Sequence, residues 1–138
     1  MNIEKFRKHC LSMPGATETV QWGNDLVFKV GGRMFAVAAL DAGATHRVSF
    51  KCSDEGFAEL QEIEGAGRAP YLARAKWIAL ERFDTLSDRE TQDRLAEAYA
   101  LVFAKLTKKA RAQISASPPS PSTPRTGSGS RGRARRRA

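Results

Sequence analysis

The residues best placed to do chemistry in this chain are basic. In the segment His46 to Lys51, Val48, Phe50 and the following Cys52 alternate with Arg47, Ser49 and Lys51. A strand has a side-chain period of two, so the first set faces a core and the second faces away from it. In Leu26 to Val30, Lys29 points opposite to Leu26, Phe28 and Val30. If both strands join one sheet, Lys29, Arg47 and Lys51 form a basic group on its open face. Arg33 at a hairpin, and Arg74 and Lys76 ahead of a Trp77 strand, extend that group. Ammonium and guanidinium groups so presented suit contact with nucleic-acid phosphates. The same pattern also serves a solvated strand face that resists edge aggregation, and both readings stand.

Other reactive side chains are sparse. His9 and His46 lie far apart with no carboxylate partner in either segment, and a general base needs such geometry. The two cysteines, Cys10 and Cys52, read as small buried hydrophobes; Cys52 also precedes a helix start, which in another setting lowers a thiol pKa. Two Cys and two His carry no zinc spacing. Gly31-Gly32 and Gly65-Ala66-Gly67 lack the strand-glycine-helix setting of a phosphate loop and read as turns. No nucleophile–base pair is visible, so the expectation is a protein that is not an enzyme, with no cofactor and no metal site. Trp22 and Trp77 offer rings for base stacking, although Trp77 lies in an apolar strand and reads as core; Trp22 sits in a turn.

These residues are carried by a chain of 138 residues with net charge +8. The charge is uneven. Six arginines fall between Ser115 and Ala138, namely Arg125, Arg131, Arg133, Arg135, Arg136 and Arg137, with no acid among them. The remaining body has 17 basic and 15 acidic residues, or +2. The tail also holds six Ser, four Pro and three Gly and no large apolar residue, so it is expected to be disordered. The chain therefore divides into a domain over 1–114 and a basic tail over 115–138. Mobile arginines in such a tail can pair with phosphates without reading sequence. No apolar run approaches the roughly 18 residues of a membrane span, and Met1 to Met13 has no apolar block after a basic start. A soluble, cytoplasmic protein with no membrane partner is expected.

The elements follow from periodicity and punctuation. Ile3, Phe6, Cys10 and Met13 make one helical stripe over 2–12, ended by Pro14-Gly15. Strands follow at 18–21, 26–30, 33–40 and 46–51, with Gly31-Gly32 as a hairpin turn. Ser53 or Asp54 caps a short helix to about Ile63, then come short strands at 65–69 and 76–81. Ser87-Asp88-Arg89-Glu90 opens a last helix with Leu95, Ala98, Tyr99, Val102 and Leu106 on one face, carried through Lys105, Lys108, Lys109 and Arg111. Strands clustered between terminal helices imply α+β architecture: an antiparallel sheet, helices on one face, the other face open.

The ordered set Pro14-Gly15-Ala16-Thr17-Glu18, Trp22-Gly23, Leu26 to Ala36, Val48 to Cys52, Pro70-Tyr71-Leu72, Lys76-Trp77-Ile78 and Leu106-Thr107-Lys108-Lys109 resembles the MmcQ/YjbR family of small bacterial proteins. The resemblance spans roughly residues 2–111 and excludes the tail. It implies a CyaY-like (frataxin-like) α-β-α fold and a DNA-binding role with a double-wing arrangement, and it brings no catalytic residues. The carboxylate cluster that binds iron on that fold is not matched, since the first helix offers only Glu4. The leading expectation is a DNA-binding protein docking by Lys29, Arg33, Arg47, Lys51, Arg74 and Lys76, anchored by Arg131, Arg133, Arg135, Arg136 and Arg137. The alternative is a non-catalytic adaptor that binds a protein or small ligand on the open sheet face, with Trp22 part of the patch.

Overall fold

The computed structural model describes residues 1–41, 43–70 and 72–115. Helix α1, Ile3–Leu11, starts where the Asn2 side chain accepts the Lys5 backbone N–H at 2.9 Å. Strands β1 (Ala16–Gln21), β2 (Asp25–Val30), β3 (Arg33–Ala39) and β4 (Val48–Lys51) follow, then helix α2 (Asp54–Leu60), strand β5 (Ala66–Arg68), a 3-10 turn at Ala73–Ala75, strand β6 (Trp77–Leu80), helix α3 (Asp88–Ala104) and helix α4 (Lys108–Ser115). Ser53 caps α2 and Ser87 caps α3 through hydroxyls that accept the Gly56 and Glu90 N–H groups.

The six strands form one sheet in the order β1-β2-β3-β4-β6-β5, with every neighbouring pair antiparallel. Alternation sorts the side chains. Leu26, Phe28, Val30, Phe35, Ala38, Val48, Phe50, Ile78 and Leu80 face the helices, where Phe6, Cys10, Leu95, Ala98, Val102 and Leu106 complete the main core. Phe6 meets Phe28 edge-on at 5.7 Å, and Phe35 meets Tyr99 at 5.6 Å. Tyr99, half-buried, donates its hydroxyl to the Pro14 carbonyl and so ties α3 to the end of α1.

The α+β expectation holds, and three details differ from the sequence reading. The last helix is two helices. The chain leaves α3 at Lys105, Leu106 buries itself, and the Thr107 hydroxyl accepts the Ala110 N–H to begin α4. The uninterrupted stripe conceals this break, because Leu106 fits a continuing helix and a turn equally well. Strand β4 begins at Val48 rather than His46, and α2 stops at Leu60. Finally, the second sheet face is partly covered. Val27, Val37, Trp77 and Ala79 pack there with Ala69, and Met34 and Leu72 lie against them. Trp77 is therefore core, as its strand pattern implies, but on the side away from the long helices. The tail arginines lie outside the described residues.

Gly31 explains how the α3–α4 junction is seated. Its φ is +58°, and a Cβ there would stand 2.6 Å from Leu106 Cδ1. Gly32, at φ +81°, has open space instead. Gly31→Ala is therefore expected to lose more than the roughly 1–2 kcal/mol of left-handed strain alone, and Gly32→Ala to lose only that amount. Thermal melts of the two variants check the difference.

Candidate functional site

Antiparallel pairing collects strand ends. Lys29 lies near the end of β2, Arg33 starts β3, Lys51 ends β4, Arg68 ends β5 and Lys76 immediately precedes β6. The register Val30↔Arg33, Lys51↔Trp77 and Arg68↔Ile78 puts all five at the same end of the sheet. Arg74, exposed on the 3-10 turn, joins them, as does Lys105 at the end of α3. The opposite end carries Asp25, Asp41, Glu64 and Glu81, each next to a strand terminus there. Arg47 and Arg82 lie at that end too, so its charge is mixed, whereas the first end gathers cations.

Local contacts hold the basic end in shape. Lys51 Nζ donates to the Ala75 carbonyl at 2.8 Å. Lys76 Nζ lies 5.1 Å and Arg68 Cζ 6.0 Å from the Phe57 ring centroid, so two cations flank one aromatic. Burial lowers the Lys51 pKa, and the nearby Lys105 charge lowers it further. Among the described residues, none of Lys29, Arg33, Lys51, Arg68, Arg74, Lys76 or Lys105 is in an ion pair; those pairs involve Lys5, Arg7, Arg82, Arg94 and the chain amine. Asp54 and Glu55 are the nearest acids in sequence, and they occupy the first turn of α2, where they complement its dipole. Lys76 also has φ +64°; with Trp22 at +51°, it is one of two non-glycine residues in the left-handed region among those described.

The structure divides the candidate set. Lys29, Arg33, Lys51, Arg74 and Lys76 come together. Arg47 does not, because four residues of extended chain separate it from Lys51, roughly 13 Å. It lies at the acidic end with its guanidinium 5.0 Å from the Phe83 ring centroid. The open face itself is not a positive stripe: the row Val27, Val37, Ser49, Ala79 crosses its centre without a charge. The charges are at the sheet end. Arg68 and Lys105 were not among the sequence candidates. A three-residue edge strand has too little pattern to reveal its pairing, and Lys105 reads as ordinary helix-terminal charge.

The other reactive groups are occupied or quiet. His9 Nε2 lies 3.2 Å from the Gln92 carbonyl oxygen. Arg94 is held by Glu59 at 3.2 Å and Glu90 at 3.5 Å, which pins α2 to α3. Cys10 and Cys52 are free, buried thiols. Burial raises both, Cys10 well above the ordinary thiol value and Cys52 to about 12, so a helix start downstream does not activate Cys52.

The class defined here is a small α+β protein whose single antiparallel sheet carries helices on one face and a cationic rim at one end. The chain belongs to the YjbR family, whose model matches residues 11–101, from the end of α1 into α3. No curated protein matches it. Among the described residues, no helix is long and apolar enough to cross a membrane.

The thiols set an alkaline limit. An unfolded cysteine ionises near 9.0, whereas the folded Cys52 holds its proton to about 12. The folded state therefore binds more protons above pH 9, and stability falls there by up to about 1.4 kcal/mol per pH unit for each thiol. Urea melts between pH 8 and 10 are expected to show that fall, and the Cys10→Ala/Cys52→Ala variant a shallower one.

Proposed function

We propose that this protein binds DNA through phosphate contacts at the basic end of its sheet, with the arginine tail adding a non-specific electrostatic contribution. One observation carries the reading: side chains from β2, β3, β4, β5, the 3-10 turn and the approach to β6 converge on one sheet end, and among the described residues none is neutralised by an ion pair. Repulsion among these cations disfavours their crowding unless anions are drawn to them. Burial, and after it the charge of Lys105 at the end of α3, lowers the Lys51 pKa. The left-handed backbone at Lys76 is a second sign that local geometry is held against its own preference, as at many binding sites.

Arg33 projects from the β2–β3 hairpin and Arg74 from the 3-10 turn. Two cationic projections separated by the sheet end would straddle a duplex backbone. Such contacts position a protein without specifying sequence. The protein would be a non-catalytic, soluble, cytoplasmic DNA binder.

Fluorescence anisotropy with a labelled duplex, at several salt concentrations, tests this. The chain truncated after residue 115 should still bind at low salt. Restoring the tail should steepen the log K against log salt slope by up to about 5 if all six arginines engage. Lys51→Gln and Arg33→Gln should each reduce that slope by about 0.9, while Arg47→Gln should leave it unchanged. Failure of the truncated chain to bind at low salt overturns the assignment to the body.

The lysine supplies a pH signature. A neighbouring phosphate raises the depressed pKa of Lys51, so binding takes up a proton as pH approaches the lysine range. Affinity is fully present at neutral pH and should weaken with rising pH before the ordinary value of 10.5 is reached. Lys51→Gln should remove that part of the pH dependence.

A further inference from the structure

Lys51 is set apart from the other cations of the basic end by how its amine is held. Its Nζ, at the end of β4, donates to the Ala75 carbonyl at 2.8 Å, and Ala75 lies between Arg74 and Lys76 in the chain. The backbone joins the two segments as well, since the Cys52 N–H donates to the Lys76 carbonyl at 2.8 Å. The amine is therefore fixed beside the 3-10 turn. The charge of Lys105, at the end of α3, also acts on it.

Two properties of this cluster are those of an acylation site. The first is the state of the amine. An ammonium is not a nucleophile, and a lysine becomes one when burial or an adjacent cation favours its neutral form. Lys51 has both, being half-buried and near the Lys105 charge, and these outweigh the opposite pull of Cys52 and Asp54. The Ala75 carbonyl can only accept, so it takes a hydrogen of the amine and leaves the nitrogen lone pair free. The second property is the surrounding charge. Arg74, exposed on the turn, Lys76 and Lys105 are in no ion pair among the described residues, and they draw an anion toward the amine.

We propose that Lys51 is a modification site that takes an acyl group from an acyl phosphate. The phosphoryl group is drawn to Arg74 and Lys105 while the amine attacks the acyl carbon. A C–N bond forms. The bond between that carbon and the phosphate oxygen breaks, its electron pair stays on the oxygen, and inorganic phosphate leaves. The proton shed by the nitrogen departs on the phosphate, so no further reactant is needed. Positive charge builds on the nitrogen during the attack, which strengthens its hydrogen bond to Ala75. The product is a neutral amide, and the basic end loses one charge.

Acetyl phosphate is the probe, and N-hydroxysuccinimidyl acetate delivers the same acyl group without the anion. The full chain is treated with each, and the acetylated lysines are quantified at early times by peptide mass spectrometry. With acetyl phosphate, Lys51 should be modified at least about threefold faster than Lys8, an exposed lysine of α1 that is in no ion pair among the described residues. That preference should shrink with the neutral ester and at high salt. Arg74→Gln should slow acetylation of Lys51 by acetyl phosphate and leave that by the ester unchanged. Modification of Lys51 no faster than that of Lys8, or a preference equal for the two reagents, overturns the inference; the comparison on the unsubstituted chain needs no variant to fold. No DNA is present in the assay, so its outcome is separate from that of the DNA titrations.

Discussion

The antiparallel register of β2, β3, β4 and β6 is the constraint on which the rest of this molecule depends. It pairs Val27 with Val37, Val37 with Ser49 and Ser49 with Ala79, and so decides which side chains share a face. A slip of one residue between any two of these strands would carry Phe28, Phe50 or Ile78 to the wrong side and break the packing with Phe6, Leu95 and Val102. The aromatic and aliphatic interior thus holds the register. The register in turn brings Arg33, Lys51, Arg68 and Lys76 to a common end of the sheet.

The two faces of the sheet have different physical roles. The helix side buries full rows of large residues, and burial there raises the pKa of both thiols. The second side buries a smaller group around Trp77 and stops short of full cover. Its remaining surface is apolar at the centre and charged at the margins. Glycine at 31 lets the α3–α4 junction press Leu106 against the hairpin, which places Lys105 near the lysine that ends β4. A packing contact therefore also shapes the charge of the rim.

Much of the fold was legible because its signals are local. Alternation in Leu26 to Val30 and Val48 to Cys52 marks strands with a defined inner face, Gly31-Gly32 marks the hairpin, and Ser87 with Glu90 marks the start of α3. The α3–α4 break was not legible, since Leu106 satisfies the helical stripe while Thr107 also serves as a cap. The candidate site was half legible. Lys29 and Lys51 were correctly turned away from the helices by alternation, but alternation says nothing about position along the sheet, and Arg47 was grouped with residues at the opposite end. Arg68 escaped notice because β5 is identified by its pairing with β6 and not by its own composition.

By itself, then, the amino-acid sequence determined the element order as far as α3, the inward face of each central strand, the α+β class and the separation of a nearly neutral body from an arginine-rich tail. These depend on near neighbours and on composition, which the chain carries without folding. Only the tertiary structure decided which charges meet. Convergence of cations at one sheet end, the stacking of Arg47 on Phe83 and the lowered pKa of Lys51 all arise from contacts between residues distant in sequence. The reason is that electrostatic and solvation energies depend on separation and burial in space, and those are set when the strands pair and the helices cover one face of the sheet.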